Sequence, residues 1–318
     1  MKKHSYAFRF LVLTLVVLIA IFTLLAFSGT GEEPVYQIAI VVPDSQNDRW
    51  ANFRSGARQA AQDFNVELSY VTTDTFHSYQ EQDEVVQEEL LNGADALVLE
   101  PAVSKGTAQW LQTITNQAPL VLINSSASYV ENENCATVSP DNRSLGRSLA
   151  SEVIVASGGH LAGHKVGILI GNESLTMNQE RKEVFEHSTE KAGGTITWTL
   201  SGVENIEEAL QKEQTVDTIV CLDPIVLDEA IEYCGEKGIQ LFGIGCSENS
   251  SYALDKGIIR SLLVVNDFNV GYQSIKMLHD KCANQLVELK DGTADYHVIN
   301  KENMYTEDNE KLMFPMNH

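Results

Sequence analysis

The chain has 318 residues, and its 44 Asp and Glu against 22 Lys and Arg give a formal net charge of −22. A surface of this sign repels nucleic-acid phosphates and anionic membranes, which argues against nucleic acid as a partner. The length is enough to bury a large core and suggests two domains.

An almost uninterrupted apolar run occupies residues 10–27, with basic residues before it and acidic residues after it. Such a run can cross a bilayer, and the positive-inside rule keeps its N-terminus in the cytoplasm. We predict a cytoplasmic segment at residues 1–9, a transmembrane anchor in the lipid bilayer at residues 10–28, and a spacer at residues 29–35. The binding domain would then be extracytoplasmic. Small residues near Ala26 leave cleavage open, which would make the protein secreted or periplasmic.

Beyond the spacer, β-branched apolar runs alternate with amphipathic stretches. The predicted strands are residues 37–42, 67–72, 96–99, 120–123, 165–170, 195–200, 218–222, 240–244 and 258–263. Predicted helices include residues 48–64, 79–92, 105–116, 145–157, 179–192 and 227–237. Apolar strands separated by helices are typical of parallel sheets covered on both faces. The sequence therefore predicts an α/β fold with two doubly wound parallel-sheet lobes.

Ligands bind doubly wound sheets at the carboxyl ends of the strands, where loops and helix N-termini meet. Mostly polar residues follow the predicted strands at residues 43–50, 171–179 and 245–247, and at Asn124, Ser125 and Asp223. These loops are the predicted lining of a binding cleft.

Catalytic and metal-binding motifs are absent from the sequence, which has no G-x-S-x-G, P-loop, H-E-x-x-H or G-x-G-x-x-G after a strand. His160 and His164 lie in a glycine-rich connector, so we expect no metal site. The five cysteines form no C-x-x-C pair and are predicted to be buried thiols. We predict a binding protein that is not an enzyme and has no cofactor. An enzyme on this fold is a weaker alternative, which turnover of a bound ligand would reveal.

Several segments, in this order, resemble the ribose- and xylose-type sugar-binding proteins, which are type I periplasmic binding proteins. They are QIAIVVPDSQNDRWANFRSGARQAAQDFNVEL, LLNGADALVLEPA, APLVLINSS, VSPDNRSLGRSLA, ERKEVFEHSTEKAG and YALDKGIIRSLL. The resemblance covers roughly residues 35–303. It implies two lobes joined by a three-segment hinge that closes around a small, sugar-like ligand.

The resemblance also implies how the chain is divided between the lobes. The expected N-lobe is residues 36–138 plus 266–294, and the expected C-lobe is residues 139–265 plus 295–303. A C-terminal tail would follow at residues 304–318. The three hinge segments are expected near residues 138–140, 264–266 and 294–296.

In these relatives, the loop after the first strand supplies ligand contacts and an aromatic platform. The resemblance implies that Asp44, Asn47 and Arg49 bond to hydroxyls while Trp50 packs against a sugar ring. From the residues alone, Trp50 could instead be a core residue, and Arg49 could point to solvent.

The remaining implied contacts in the first lobe depart from the relatives' pattern. Asn124 and Ser125 stand where the sugar-binding proteins commonly have Asp-Arg, so both charges are lost. Asn266 is the only polar residue at the position of the relatives' last contact.

In the second lobe, Asn178 and Gln179 begin the helix where the relatives carry a ligand-binding Arg or Asn. Asp223 is expected either to contact the ligand or to cap the following helix. Gly245 stands where the relatives have a ligand-binding Asp, and it offers no side chain. These departures suggest a modified sugar, a furanose-like signal or a less hydroxylated molecule.

The resemblance leaves two roles open. The protein could deliver its ligand to the membrane permease of an ABC transporter, or it could be a membrane-tethered receptor read by a sensor histidine kinase. An anchor with no cysteine before Cys135 for lipidation mildly favours the receptor. Cleavage of the apolar segment would remove that argument.

Overall fold

The computed structural model describes residues 12–22, 34–127 and 132–314. The chain divides into two units, Met1–Val35 and Tyr36–His318. In the first unit, residues 12–22 are helical (α1) and their side chains are exposed. Over the described ranges, no helix is both long and apolar enough to cross a membrane. The rest of the predicted anchor and all of the predicted cytoplasmic segment lie outside the described residues.

Two six-stranded sheets form the second unit. Its strands are β1 (Gln37–Val41), β2 (Glu67–Tyr70), β3 (Ala96–Leu99), β4 (Leu120–Ile123), β5 (Cys135–Pro140), β6 (Lys165–Ile170), β7 (Thr195–Ser201), β8 (Thr218–Cys221), β9 (Gln240–Ile244), β10 (Ile259–Val265), β11 (Gly292–Ala294) and β12 (Tyr296–Ile299). The first sheet has the order β11-β5-β4-β3-β1-β2 and the second β12-β10-β9-β8-β6-β7. All pairs are parallel except β10 with β12.

Helices cover the sheets. They are α2 (Ala51–Asp63), α3 (Tyr79–Leu91), α4 (Ala108–Thr115), α5 (Asn142–Ala156), α6 (Thr176–Lys191), α7 (Ile206–Lys212), α8 (Pro224–Lys237), α9 (Glu248–Lys256), α10 (Asp267–Ala283) and α11 (Glu307–Met313). We call the first sheet with α2, α3, α4 and α10 the first lobe, and the second sheet with α5 to α9 the second lobe.

The central strands are apolar because both of their faces are covered. Every residue of β3, β4 and β8 is buried, as expected for strands inside a parallel sheet. The α/β fold with two parallel-sheet lobes is therefore confirmed. All nine predicted strands are present, and the structure adds β5, β11 and β12.

The chain passes between the lobes at three places. It leaves the first lobe after β5, returns between β10 and α10, and crosses again at Asp295, between β11 and β12. Because three separate segments connect the lobes, rotation about them can open and close the space between the sheets. The exact residues that bound each lobe remain a prediction.

Each lobe contains a pair of helices that approach closely through glycine. A Cβ atom on Gly56 of α2 would collide with the backbone of Phe268, and one on Gly271 of α10 would collide with the backbone of Phe53. In the second lobe, a Cβ atom on Gly146 of α5 would collide with the backbone of Arg181 in α6. The contacts hold the starts of α10 and α6 in place, and both starts face the space between the lobes.

The segment predicted as a tail at residues 304–318 contains α11. Met304 and Met313 are buried in a hydrophobic cluster of the second lobe. His297 Nδ1 lies 2.7 Å from Asn309 Oδ1. Residues 304–314 are thus a packed element, although their short, charged sequence gives little periodic signal.

All five cysteines are free. Cys221 and Cys234 are buried, whereas Cys135, Cys246 and Cys282 are half-buried. Burial raises the pKa of Cys234 to about 12, which favours the inert thiol over the reactive thiolate.

Candidate ligand-binding cleft

A cavity of about 620 Å³ lies between the two lobes, where loops at the carboxyl ends of strands in both sheets face each other. Glu100 and Asn124 reach it from the ends of β3 and β4, and Pro224 and Gly245 from the ends of β8 and β9. This is the position that the strand-end rule predicts for a ligand site. Its volume is within the range of about 300–1,000 Å³ typical of small-molecule pockets.

The indole of Trp50 forms part of the cavity wall and part of the core. It ends a 3-10 turn after β1, is 2% exposed, and makes an edge-on contact with Phe53. Its Nε1 donates a hydrogen bond to the Pro43 carbonyl (3.0 Å). The guanidinium of Arg49 lies 3.9 Å from the indole centroid, in cation–π geometry. Trp50 is therefore a core residue whose indole also lines the cavity, and its contact with a ligand stays a prediction.

A buried charged network stands next to the indole. Arg49 Nη2 lies 2.8 Å from Glu100 Oε2, and Asn124 Nδ2 donates to Glu100 Oε1 (3.0 Å). Burial alone lowers the pKa of Arg49, but the charge and hydrogen bond of Glu100 outweigh it and raise that pKa. Asn124 holds a left-handed φ of 61°, which Asn tolerates better than most residues. The network points charged groups into the cavity without leaving either charge unpaired.

On the second lobe, Arg181 lines the cavity from α6. It is 3% exposed, and it donates through Nε to Asn142 Oδ1 and through Nη1 to the Leu222 carbonyl, both at 2.8 Å. Burial lowers the pKa of Arg181 to about 10, so the group stays charged at neutral pH. Two neutral acceptors therefore fix a cation at the wall.

Asp267, the first residue of α10, lines the cavity opposite this cation. Within the described ranges, its carboxylate has no hydrogen-bond or ion-pair partner, and burial raises its pKa to about 7. A group of this kind is ready to accept a hydrogen bond from a ligand.

Asp223 and Asn178 lie behind the cavity wall and do not line it. Asp223 is fully buried, and its Oδ2 accepts from Gly171 N (2.7 Å) and Asn178 Nδ2 (2.9 Å). Its Oδ1 accepts from Ile225 N (3.1 Å) at the start of α8. Both oxygens are thus engaged, and the hydrogen bonds are those of a helix cap. Burial also raises the pKa of Asp223.

The other predicted contacts are engaged within the protein. Ser125 Oγ is buried 3.0 Å from Ser104 Oγ, and Asn47 Oδ1 caps the 3-10 turn at Arg49 N (2.9 Å). Asp44 Oδ1 accepts from Thr75 Oγ1 (2.7 Å), and Gln179 Nε2 donates to the Glu173 carbonyl (2.8 Å). Asn266 caps α10 and lines a second cavity of about 570 Å³.

Among the predicted site residues, Arg49, Trp50 and Asn124 therefore line the first cavity. Sequence reasoning missed Glu100, Arg181 and Asp267. Glu100 directly follows a predicted strand, so the strand-end rule could have identified it. The other two lie within two residues of predicted contacts, on helices whose rotation the sequence leaves undetermined.

Three hydrogen bonds join the lobes along one rim of the cleft. Asn172 Nδ2 donates to the Ala102 carbonyl (3.0 Å), and Thr176 N donates to Ser104 Oγ (2.9 Å). Met177 N donates to Ser125 Oγ (3.3 Å). The start of α6 is thus seated on loops of the first lobe, and the cleft is in a closed arrangement.

No cluster of His, Cys, Asp or Glu suited to a metal ion occurs in the part of the chain that the structure describes. The cleft itself offers a mixture of guanidinium, carboxylate, amide and indole groups. This donor set suits hydrogen bonding to a polar organic molecule.

Solved structures with the same fold include a carbohydrate-transporter solute-binding protein from Agrobacterium radiobacter in complex with D-arabinose. It has 17% identity and a TM-score of 0.79, over 89% of this chain and 100% of that one. A glucose–galactose-binding protein from Geobacillus stearothermophilus has 20% identity and a TM-score of 0.74, over 86% and 100%. A solute-binding protein from Agrobacterium vitis bound to α-D-tagatopyranose has 15% identity and a TM-score of 0.77, over 88% and 100%.

No significant match was found among curated protein sequences. A family model described as periplasmic binding protein domain matches residues 38–286. The match covers most of the second unit, including most of both lobes, and it confirms the resemblance drawn from the sequence. The protein is a binding protein and not an enzyme, and the chain belongs to the periplasmic binding protein domain family.

Proposed function

We propose that this protein is an extracytoplasmic solute-binding protein that holds a sugar or sugar-like molecule between its lobes. The observation that carries the proposal is the convergence of Arg49, Glu100, Arg181 and Asp267 on one cavity beside the indole of Trp50.

Sugar hydroxyls are both donors and acceptors, and these charged groups complement both roles. Arg181 can donate to a hydroxyl oxygen, while the carboxylate of Asp267, which has no partner within the described residues, can accept a hydrogen bond from a hydroxyl group. Hydrogen bonds to charged groups are roughly twice as strong as neutral ones. The C–H face of a sugar ring can lie against an indole such as that of Trp50. The sugars bound to proteins of the same fold support this assignment.

Ligand binding would favour the closed arrangement. Opening the cleft breaks the hydrogen bonds that Thr176 and Met177 make across the rim. A ligand that contacts both Arg181 and Asp267 adds contacts only when the lobes are together, so it shifts the population towards closure.

The partner protein that recognises the closed form would be bound to the membrane. The structures of similar fold are described as components of sugar or ABC transport systems, which supports delivery to an ABC permease. The apolar run at residues 10–27 supports a single-pass tether at the cell membrane, for which a sensor histidine kinase is the alternative partner. Deletion of the gene for this protein should abolish uptake of its ligand if the transport role is correct, and should leave uptake unchanged if the receptor role is correct.

A thermal-shift screen of the purified protein against pentoses, hexoses and their derivatives tests the proposal. A ligand present at 100 times its Kd should raise the free energy of unfolding by about 2.7 kcal/mol. Amino acids of similar size are the control compounds and should give no shift. A panel in which no sugar or sugar derivative raises the Tm would contradict the proposal.

Trp50→Ala tests the aromatic wall. Loss of the contact should weaken sugar binding at least tenfold by calorimetry, since burying an aromatic surface contributes roughly 1.5–3 kcal/mol. Trp198→Ala is the matched control, because Trp198 hydrogen-bonds Gln214 on the second lobe and does not line the cavity. An unchanged affinity in folded Trp50→Ala protein would remove the indole from the site.

A further inference from the structure

The end of α11 lies between the cleft and the second cavity. Met313 and Phe314 line the cleft, whereas Leu312 lines the second cavity. Asn52, in the first turn of α2, lines both cavities. The end of α11 and Asn52 therefore form a partition between the two cavities.

The helix α11 is fixed to the second lobe. Met304 and Met313 are buried in the hydrophobic cluster of that lobe. Asn309 is also buried; its Oδ1 lies 2.7 Å from Nδ1 of His297 in β12, and its Nδ2 donates to the Asn303 carbonyl (3.0 Å). Because these contacts lie within the second lobe, α11 moves with that lobe when the cleft opens.

One hydrogen bond joins α11 to the first lobe. The last four carbonyl groups of a helix have no partner inside it, and the Leu312 carbonyl is one of them, since α11 ends at Met313. This carbonyl accepts a hydrogen bond from Asn52 Nδ2 (3.0 Å). The bond needs the lobes to be together, and it involves elements other than the start of α6, which holds the rim. It is therefore an attachment between the lobes that is separate from the rim.

Phe314 lies where the wall of the cleft reaches the surface. Its ring is 41% exposed and stacks on Tyr305, with ring centroids 6.4 Å apart and planes at 10°. The neighbouring Met313 is buried, and its carbonyl oxygen lies 3.9 Å from the Cys246 thiol. Movement of the end of α11 away from α2 would therefore expose the cleft to solvent at this point.

We propose that Asn52 and α11 form a clasp on the cleft: the Asn52 amide holds the end of α11 in place while the lobes are together, and ligand release requires this bond to break. Asn52 is a positioning residue in this role, since it acts through α11. A bond that exists only in the closed arrangement shifts the population towards closure. The inference rests on the proposed function, because it assumes that the cleft holds a ligand.

Stopped-flow fluorescence of the purified full chain tests the clasp, with the pentose or hexose that gives the largest rise in Tm. Asn52→Ala removes the amide donor, so ligand release should become roughly two- to tenfold faster, as expected for the loss of one neutral hydrogen bond. The association rate should stay within about twofold, because such changes act mainly on dissociation. Asn52→Asp, which keeps the shape but has no amide donor, should also speed release.

Gln59→Ala is the matched control. It removes an amide from the same helix, but that amide bonds Asp63 (2.9 Å) and Gln59 lines neither cavity. Its release rate should equal that of the wild type.

Hydrogen exchange separates a clasp from a direct contact between Asn52 and the ligand. In the wild type, saturating sugar should slow amide exchange in α11 and at the start of α6 by at least about threefold. In Asn52→Ala at saturating sugar, this protection should be lost in α11 and kept in α6.

Unchanged protection of α11 in Asn52→Ala overturns the inference and leaves the proposed function intact. A release rate equal to that of the wild type does the same. Failure of every sugar in the panel to bind refutes the proposed function itself.

Discussion

The two lobes have the same layered architecture but present different chemistry to the cleft. In the first lobe, Glu100 and Asn124 follow buried strands and project into the cavity. At the matching strand ends of the second lobe, Asp223 turns inward to cap α8, and Gly245 has no side chain. The strand ends thus determine which residues lie next to the cavity, whereas local hydrogen bonding determines which of their side chains reach it.

The largest expected effect concerns the charged wall of the first lobe. Glu100→Gln leaves the Arg49 guanidinium buried without a counter-charge, and breaking a buried ion pair in this way typically costs about 3–5 kcal/mol. Chemical denaturation should show a lower free energy of unfolding.

Glu183→Gln is the matched control, since it breaks the exposed Arg143–Glu183 pair and should change stability little. Equal effects of the two substitutions would show that the Arg49–Glu100 pair is no more important than a surface pair.

A smaller effect is expected where helices of each lobe meet. Gly56→Ala and Gly146→Ala each place a Cβ atom on the backbone of the facing helix. Overpacking of this kind typically costs about 1–3 kcal/mol. Gly146→Ala should additionally weaken ligand binding, because it displaces Arg181. Gly235→Ala is the control: a Cβ atom there makes only ordinary contact, and Ala is the better helix former. Equal free energies of unfolding for all three variants would contradict the close approach.

The sequence predicted the strands well because short apolar runs such as those of β3 and β4, bounded by turn residues, are typical of buried strands. It did not predict β5, whose burial alternates and which contains Ser139 and Pro140. The short strands β11 and β12 form by pairing with β5 and β10, which are distant from them in sequence. Such elements carry no local signal of their own.

The site was less predictable because side-chain direction depends on packing. Asp223 and Glu100 both follow a strand, yet one caps a helix and the other faces the cavity. The sequence left both roles open for Asp223. Arg181 differs from Gln179 by only two positions on α6, which is enough to move a side chain from the outer surface to the cleft.

A pH dependence of stability is expected at the start of α10. Burial raises the pKa of Asp267 from 3.8 to about 7. Between these values the folded protein holds a proton that the unfolded chain has released, so stability falls as pH rises from about 4 to 7. Asp267→Asn removes this titration.

The Tm of Asp267→Asn minus that of the wild type should therefore increase from pH 4 to pH 8. Asp295→Asn is the control, because it replaces an exposed carboxylate. Asp223→Asn is not suitable, because Asp223 caps α8. A difference that does not change with pH would show that Asp267 titrates like an exposed residue.

The most direct test of the binding cleft is calorimetric titration of wild type and Asp267→Asn with a sugar or glycoside that raises the Tm. Because Asp267 has no hydrogen-bond partner within the described residues, its substitution removes a ligand contact without leaving a protein group unpaired. At pH 8, where the carboxylate is ionised, we expect the Kd to rise at least tenfold, since a hydrogen bond to a charged group contributes about 1.5–3 kcal/mol. An unchanged Kd in a folded variant would contradict recognition in this cleft.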